Sequence, residues 1–120
     1  MVKITIQEVA SNYDLSKDTL RYYEKEGLIG PIKKNESGMR EYSKEDLDRI
    51  GFVKCMRNAG LSIAVLKKYI QLYDEGEHTK EARIKLLEKE RVALKGKIDC
   101  MKEAYQKLEY KIDYYKRGEK

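Results

Sequence analysis

From Thr79 to Arg117 the chain has no helix breaker except Gly96, and its apolar residues recur on alternating steps of three and four: Ile84, Leu87, Leu94, Ile98, Met101, Tyr105, Leu108, Ile112 and Tyr115. Only Arg91 interrupts the register. This is a heptad seam carried through several heptads. A helix of about 39 residues is ~58 Å long at 1.5 Å rise per residue, more than one small domain can cover. The seam therefore needs a partner, and the simplest partner is a second copy, giving a coiled-coil homodimer. A basic amphipathic membrane helix is the rival, but a narrow stripe flanked by Glu and Asp argues against it.

The residues ahead of the seam carry the punctuation of short helices. Thr5 with Glu8 makes a capping box that opens a helix from Ile6 to about Asn12, after a short extended lead-in at Lys3–Thr5. Tyr13 and Asp14 form a turn, with Asp14 suited to a left-handed conformation. Ser16 caps a second helix that Gly27 stops. Two short helices joined by a tight turn make a helix-turn-helix. Leu28 to Ser43 contains the single Pro and the turn residues Asn35, Glu36 and Ser37 before Gly38, and reads as a β-hairpin wing. Ser43 with Asp46 opens a third helix ending at Gly60, and Ser62 a fourth ending at Gly76. The expected fold is mainly α: a winged helix-turn-helix domain with a two-stranded wing over residues 1–76, then a linker and long dimerisation helix over 77–120.

Charge has to be read locally. Residues 1–78 carry 13 Lys and Arg against 13 Asp and Glu, while residues 79–120 carry 13 against 8, so the whole excess of five lies in the long helix. A global basic field is not an argument for a polyanionic partner; patches are. In the second helix Lys17, Arg21 and Lys25 recur every four residues with Asp18 and Tyr22 on the adjoining row, while Leu20 and Tyr23 face the other way toward Val9, Ala10 and Leu15. Arg clamps phosphate or guanine with two hydrogen bonds, and Tyr hydroxyls bond phosphates. Lys33, Lys34, Arg40 and Tyr42 give the hairpin a matching surface. Singly, each signal describes an ordinary solvated face or a core tyrosine. As an ordered set of turn, capped helix, stop and basic hairpin, they point to double-stranded DNA.

Other classes find less support. There is no apolar run near the roughly 20 residues of a membrane span, no signal-peptide h-region and no disulfide framework in two distant Cys, so a cytoplasmic protein is expected. Cys55, Cys100 and His78 are too scattered for a metal or iron–sulfur site, and no cofactor is expected. An enzyme is the least supported reading, with no paired carboxylates and no Gly-rich phosphate loop. An architectural or excisionase-like DNA-binding protein would share the helix-turn-helix and hairpin but would need neither the seam nor Cys55. A coiled-coil adaptor would leave the basic hairpin unexplained.

The segments I-x-E-V-A at Ile6–Ala10, S-K-D-T-L-R-Y-Y-E-K-E-G-L-I at Ser16–Ile29, G-M-R-E-Y at Gly38–Tyr42 and N-A-G-L-S-I at Asn58–Ile63 resemble the MerR-type transcriptional regulators. Asp14 departs from that pattern, which has Gly in the turn. The resemblance implies a dimer joined by an antiparallel coiled coil that binds palindromic operators in promoters with overlong spacers. It implies activation by twisting the DNA for RNA polymerase. By matching position it implies DNA contacts from Ser16, Lys17, Thr19, Arg21 and Tyr22 in the helix and from Arg40 and Tyr42 in the wing. With Lys120 directly after the seam, a short form without an effector domain is expected.

On its residues alone, Cys55 reads as a small buried hydrophobe on the side of Phe52 and Ala59, although Lys54 and Arg57 nearby in sequence could favour a thiolate. The chain is also similar to the short NmlR/AdhR subgroup, with one Cys in this helix, which implies a thiol sensor of electrophile or redox stress. Cys100 falls off the seam.

Overall fold

The computed structural model describes residues 4–118, so Lys3 in the expected lead-in lies outside them. Five helices follow in order: α1 (Ile6–Asn12), α2 (Lys17–Lys25), α3 (Lys44–Asn58), α4 (Ile63–Glu75) and α5 (Lys80–Lys116), with a 3-10 turn at Glu77–Thr79 before the last. The chain divides into two compact units, Met1–Arg83 and Ile84–Lys120.

In the first unit, each helix starts where a side chain accepts one of its free backbone N–H groups. Thr5 caps α1 and Ser43 caps α3, both in reciprocal capping boxes with Glu8 and Asp46. Ser16 and Ser62 cap α2 and α4 through the backbone N–H of Thr19 and Val65. Between α1 and α2, Asp14 has φ 52°, the only positive value on a non-glycine among the described residues. Its short polar side chain tolerates this left-handed conformation better than most, so the turn forms without glycine.

The core of this unit takes one or two residues from each element: Val9, Leu20, Tyr23, Leu28, Ile29, Ile32, Tyr42, Ile50, Val53, Leu61, Leu66 and Ile70 are buried. Leu20 and Tyr23 share this core with Val9, and Ala10 and Leu15 pack against it partly buried. That leaves the opposite edge of α2 in solvent.

The expected two-stranded wing does not form a regular sheet. Lys34 and Arg40 make an isolated antiparallel bridge, and Tyr42 bridges to Ile4 instead of to the first arm of the hairpin. The hairpin closes on the side chain of Asn35, whose Oδ1 accepts from Ser37 N at 2.9 Å and Met39 N at 3.0 Å. Flanking it are Asn35 N donating to Met39 O and Glu41 N to Lys33 O, both at 2.8 Å. Beyond Lys33 the second arm turns away to pair with Ile4, and Pro31 has no N–H with which to lengthen the first arm.

The second unit is the body of α5, part of a helix of 37 residues in which nothing is buried. Of the seam, Ile98, Met101, Tyr105, Leu108, Ile112 and Tyr115 are all exposed, from 45% for Ile98 to 70% for Met101. Leu94 is half-buried, and Ile84 and Leu87 are exposed nearer the start. Among the described residues no helix is long and apolar enough to cross a membrane.

Candidate nucleic-acid interface

The edge of α2 that the core leaves free carries the predicted residues. Ser16, Lys17, Arg21, Tyr22 and Lys25 are exposed and Thr19 is half-buried. Ser16 and Thr19 are already joined in the cap, with Ser16 Oγ accepting from Thr19 N at 3.0 Å and lying 2.8 Å from Thr19 Oγ1. Arg21 reaches back to Asp18 at 3.3 Å, but their side chains are 51% and 95% exposed. Such a solvated pair contributes little and is readily exchanged for a phosphate. Tyr22 stands half-exposed beside the buried Tyr23, ring centroids 6.5 Å apart.

The hairpin matches expectation in part. Lys33 and Lys34 are exposed. Arg40 is held, its Nε donating to Glu24 Oε1 at 2.8 Å. Tyr42 is a correction: its ring is fully buried and its hydroxyl has no hydrogen-bond partner among the described residues, so it belongs to the core and not to the contact surface. The Ile4–Tyr42 bridge accompanies this, since it joins the end of the second arm to Ile4, which packs against the buried core.

Cys55 also departs from its simplest reading. It is exposed. The core side of α3 is set by Ile50 and Val53, and Cys55, two residues past Val53, lies about 200° further round the helix. Its cationic neighbours are engaged elsewhere: Lys54 Nζ donates to the Tyr13 carbonyl, and Arg57 Nη1 to Leu61 O at 2.8 Å. Cys100 is exposed as well. Among the described residues no three His, Cys, Asp or Glu side chains gather as a metal site.

Two contacts carried no local sequence signal. Glu24 joins α2 to the hairpin across 16 residues through Arg40 and across 8 through Ile32 N, which donates to its Oε2 at 3.4 Å. At the end of α4, Thr79 is buried, its hydroxyl 2.5 Å from Leu72 O, while Arg83 Nε donates to Thr79 Oγ1 at 3.1 Å. A cavity of about 610 Å³ is lined by Gly30, Glu45, Asp48, Arg49, Tyr73 and Asp74 among others.

A capped pair of short helices with a free basic edge and a basic hairpin beside it defines a DNA-binding helix-turn-helix protein. The chain matches the MerR HTH family regulatory protein model over residues 4–73 and the MerR DNA-binding model over residues 47–110. It belongs to the MerR family of transcriptional regulators. It is 50% identical over 91 residues to the HTH-type transcriptional regulator AdhR of Bacillus subtilis (strain 168), a match covering 76% of this chain and 65% of AdhR. A second HTH-type regulator, from Haemophilus influenzae (strain ATCC 51907 / DSM 11121 / KW20 / Rd), is 31% identical over 114 residues, 95% of this chain and 84% of that one. Among solved structures, a MerR-family regulator from Listeria monocytogenes superposes with TM-score 0.88 at 51% identity, over 94% of this chain and 86% of that one. HiNmlR, a MerR-family regulator lacking the sensor domain and bound to promoter DNA, gives 0.87 at 30% identity, over 97% and 92%.

Proposed function

We propose that the chain binds promoter DNA as a homodimer and regulates transcription by distorting the duplex for RNA polymerase. Lys17, Arg21 and Tyr22 on the free edge of α2 enter the groove, with Ser16 and Thr19 at its N-terminus. Lys33 and Arg40 of the hairpin reach the adjoining phosphates. The observation that carries this reading is the division of α2, with Leu20 and Tyr23 buried on one side and Arg21 and Tyr22 exposed on the other. The likeness to HiNmlR, a structure bound to promoter DNA, supports it. Dimerisation through the seam, from Ile84 to Tyr115, covers the apolar stripe that the second unit leaves in solvent. Two copies then present two half-sites related by two-fold symmetry.

The exposed Cys55 thiol is the proposed point at which electrophile or redox stress acts on the regulator. The accessibility of the sulfur supports this.

Titration of a promoter duplex across salt concentrations tests DNA binding. Arg21→Ala should weaken binding and reduce the salt slope by about one unit, as expected when one phosphate contact is lost. Wild-type affinity and an unchanged slope in that variant would remove α2 from the interface.

A further inference from the structure

A carboxylate in the helix offered to a polyanion needs a reason. Glu24 lies three residues after Arg21 and next to Lys25, on a helix whose free edge carries Lys17, Arg21 and Lys25 along with the exposed Asp18. There it weakens the local attraction for phosphate. Both of its oxygens are engaged with the hairpin: Oε1 accepts from Arg40 Nε at 2.8 Å in the second arm, and Oε2 from Ile32 N at 3.4 Å in the first. The pair is half-sheltered, with 20% of the Glu24 side chain and 29% of Arg40 accessible. An ion pair in this setting is less screened than one in open water.

The hairpin also has little to stiffen it. Its arms share one isolated bridge, at Lys34 and Arg40, and not a ladder. Backbone pairing alone therefore leaves its orientation against α2 weakly specified, and the Glu24 carboxylate is the side chain that ties both arms to that helix.

We propose that Glu24 is a positioning residue for DNA recognition. It acts as a strut that sets the hairpin against α2 and holds Arg40 by Nε, so that the terminal guanidinium nitrogens are presented to a backbone phosphate. The chain carboxylate–guanidinium–phosphate fixes Arg40 in one geometry before DNA arrives, which lowers the ordering cost of the contact. This inference rests on the reading of α2 and the hairpin as the DNA-binding surface.

The test uses the full chain and a duplex enriched by the wild-type protein from a randomised pool, with fluorescence anisotropy at several salt concentrations. Glu24→Ala and Arg40→Ala should each lose about tenfold in affinity, the usual scale for a hydrogen bond to a charged group. Each should also lower the salt slope by about one unit. The double variant should be no weaker than either single one, because both remove the same contact. Glu24→Gln, whose amide oxygen can still accept from Arg40 Nε, should keep the wild-type slope. If Glu24→Ala does not fold, Arg40→Lys asks the same question: with no Nε for Glu24 to hold, it should lose the slope although the charge is kept.

Glu24→Ala binding as well as or better than wild type would overturn the proposal, since Glu24 would then be only an unfavourable charge. Additive losses in the double variant, a Glu24→Gln as weak as Glu24→Ala, or an Arg40→Lys with the wild-type slope would do the same. A wild-type protein that enriches no duplex would instead overturn the DNA-binding reading beneath it.

Discussion

The phenol of Tyr13 donates to the backbone carbonyl of Leu47 at 3.2 Å, joining the turn between α1 and α2 to a helix that begins some thirty residues later. Lys54 returns the tie by donating to the Tyr13 carbonyl. Together they hold the turn against α3. The same ring faces Gly51, where an added Cβ would meet Tyr13 Cε1 at 3.5 Å, an ordinary contact.

Gly51→Ala should therefore stabilise the protein. Glycine inside a helix costs about 0.5–1 kcal/mol relative to alanine, and nothing at this site blocks the methyl group. Urea unfolding should show a higher midpoint with an unchanged m-value. A lower midpoint would mean that the Tyr13 ring cannot tolerate the contact.

Tyr42→Phe should be neutral to stabilising by about 1 kcal/mol, because the hydroxyl it removes is buried and unpartnered. Burial pushes the Tyr42 phenol above its ordinary value, with Glu24 and Asp46 acting in the same direction and Arg40 and Arg21 against it. The folded chain thus holds this proton more tightly than the unfolded chain. The stability so gained is fully present below the unfolded value of about 10 and is lost as pH rises through the folded value. Stability measured from pH 9 upward should fall less steeply in Tyr42→Phe than in wild type. Parallel curves would show that the phenol does not ionise in that range.

The exposed seam predicts that replacing Ile98 and Leu108 together with Glu abolishes dimers. Sedimentation should report a monomer that retains helical circular dichroism from the first unit and no longer binds operator DNA. A persistent dimer would place the interface elsewhere.

Both thiols are exposed, so accessibility does not choose between them; their places in the chain do. Cys55 lies on α3 in the unit that carries α2 and the hairpin, and Cys100 in the body of α5. Cys55→Ser should bind DNA normally and fail to respond to an electrophile in a transcription assay, while Cys100→Ser responds fully. Full induction of Cys55→Ser would remove the thiol from the mechanism.

The helix plan was legible in the sequence because its determinants are local. Thr5, Ser16, Ser43 and Ser62 each cap through a residue three positions on, Gly27 and Gly60 end helices with positive φ, and Asp14 takes the left-handed turn. The seam of α5 was equally plain, since its period is a property of the chain alone. The basic edge of α2 followed from the same helical spacing.

Tertiary structure decided whatever depended on a distant partner. Tyr42 looked like a hairpin surface residue, yet it pairs with Ile4 and is buried. Cys55 looked buried beside Phe52 until Ile50 and Val53 set the core side of α3. The regular wing gave way to isolated bridges because backbone pairing is settled by which segments meet, and the second arm meets Ile4. Glu24 gave no local hint of its role, for the groups it holds lie 8 and 16 residues away. Caps, turns and heptads are written within a few residues of each other, whereas burial and cross-chain pairing exist only after the chain has folded.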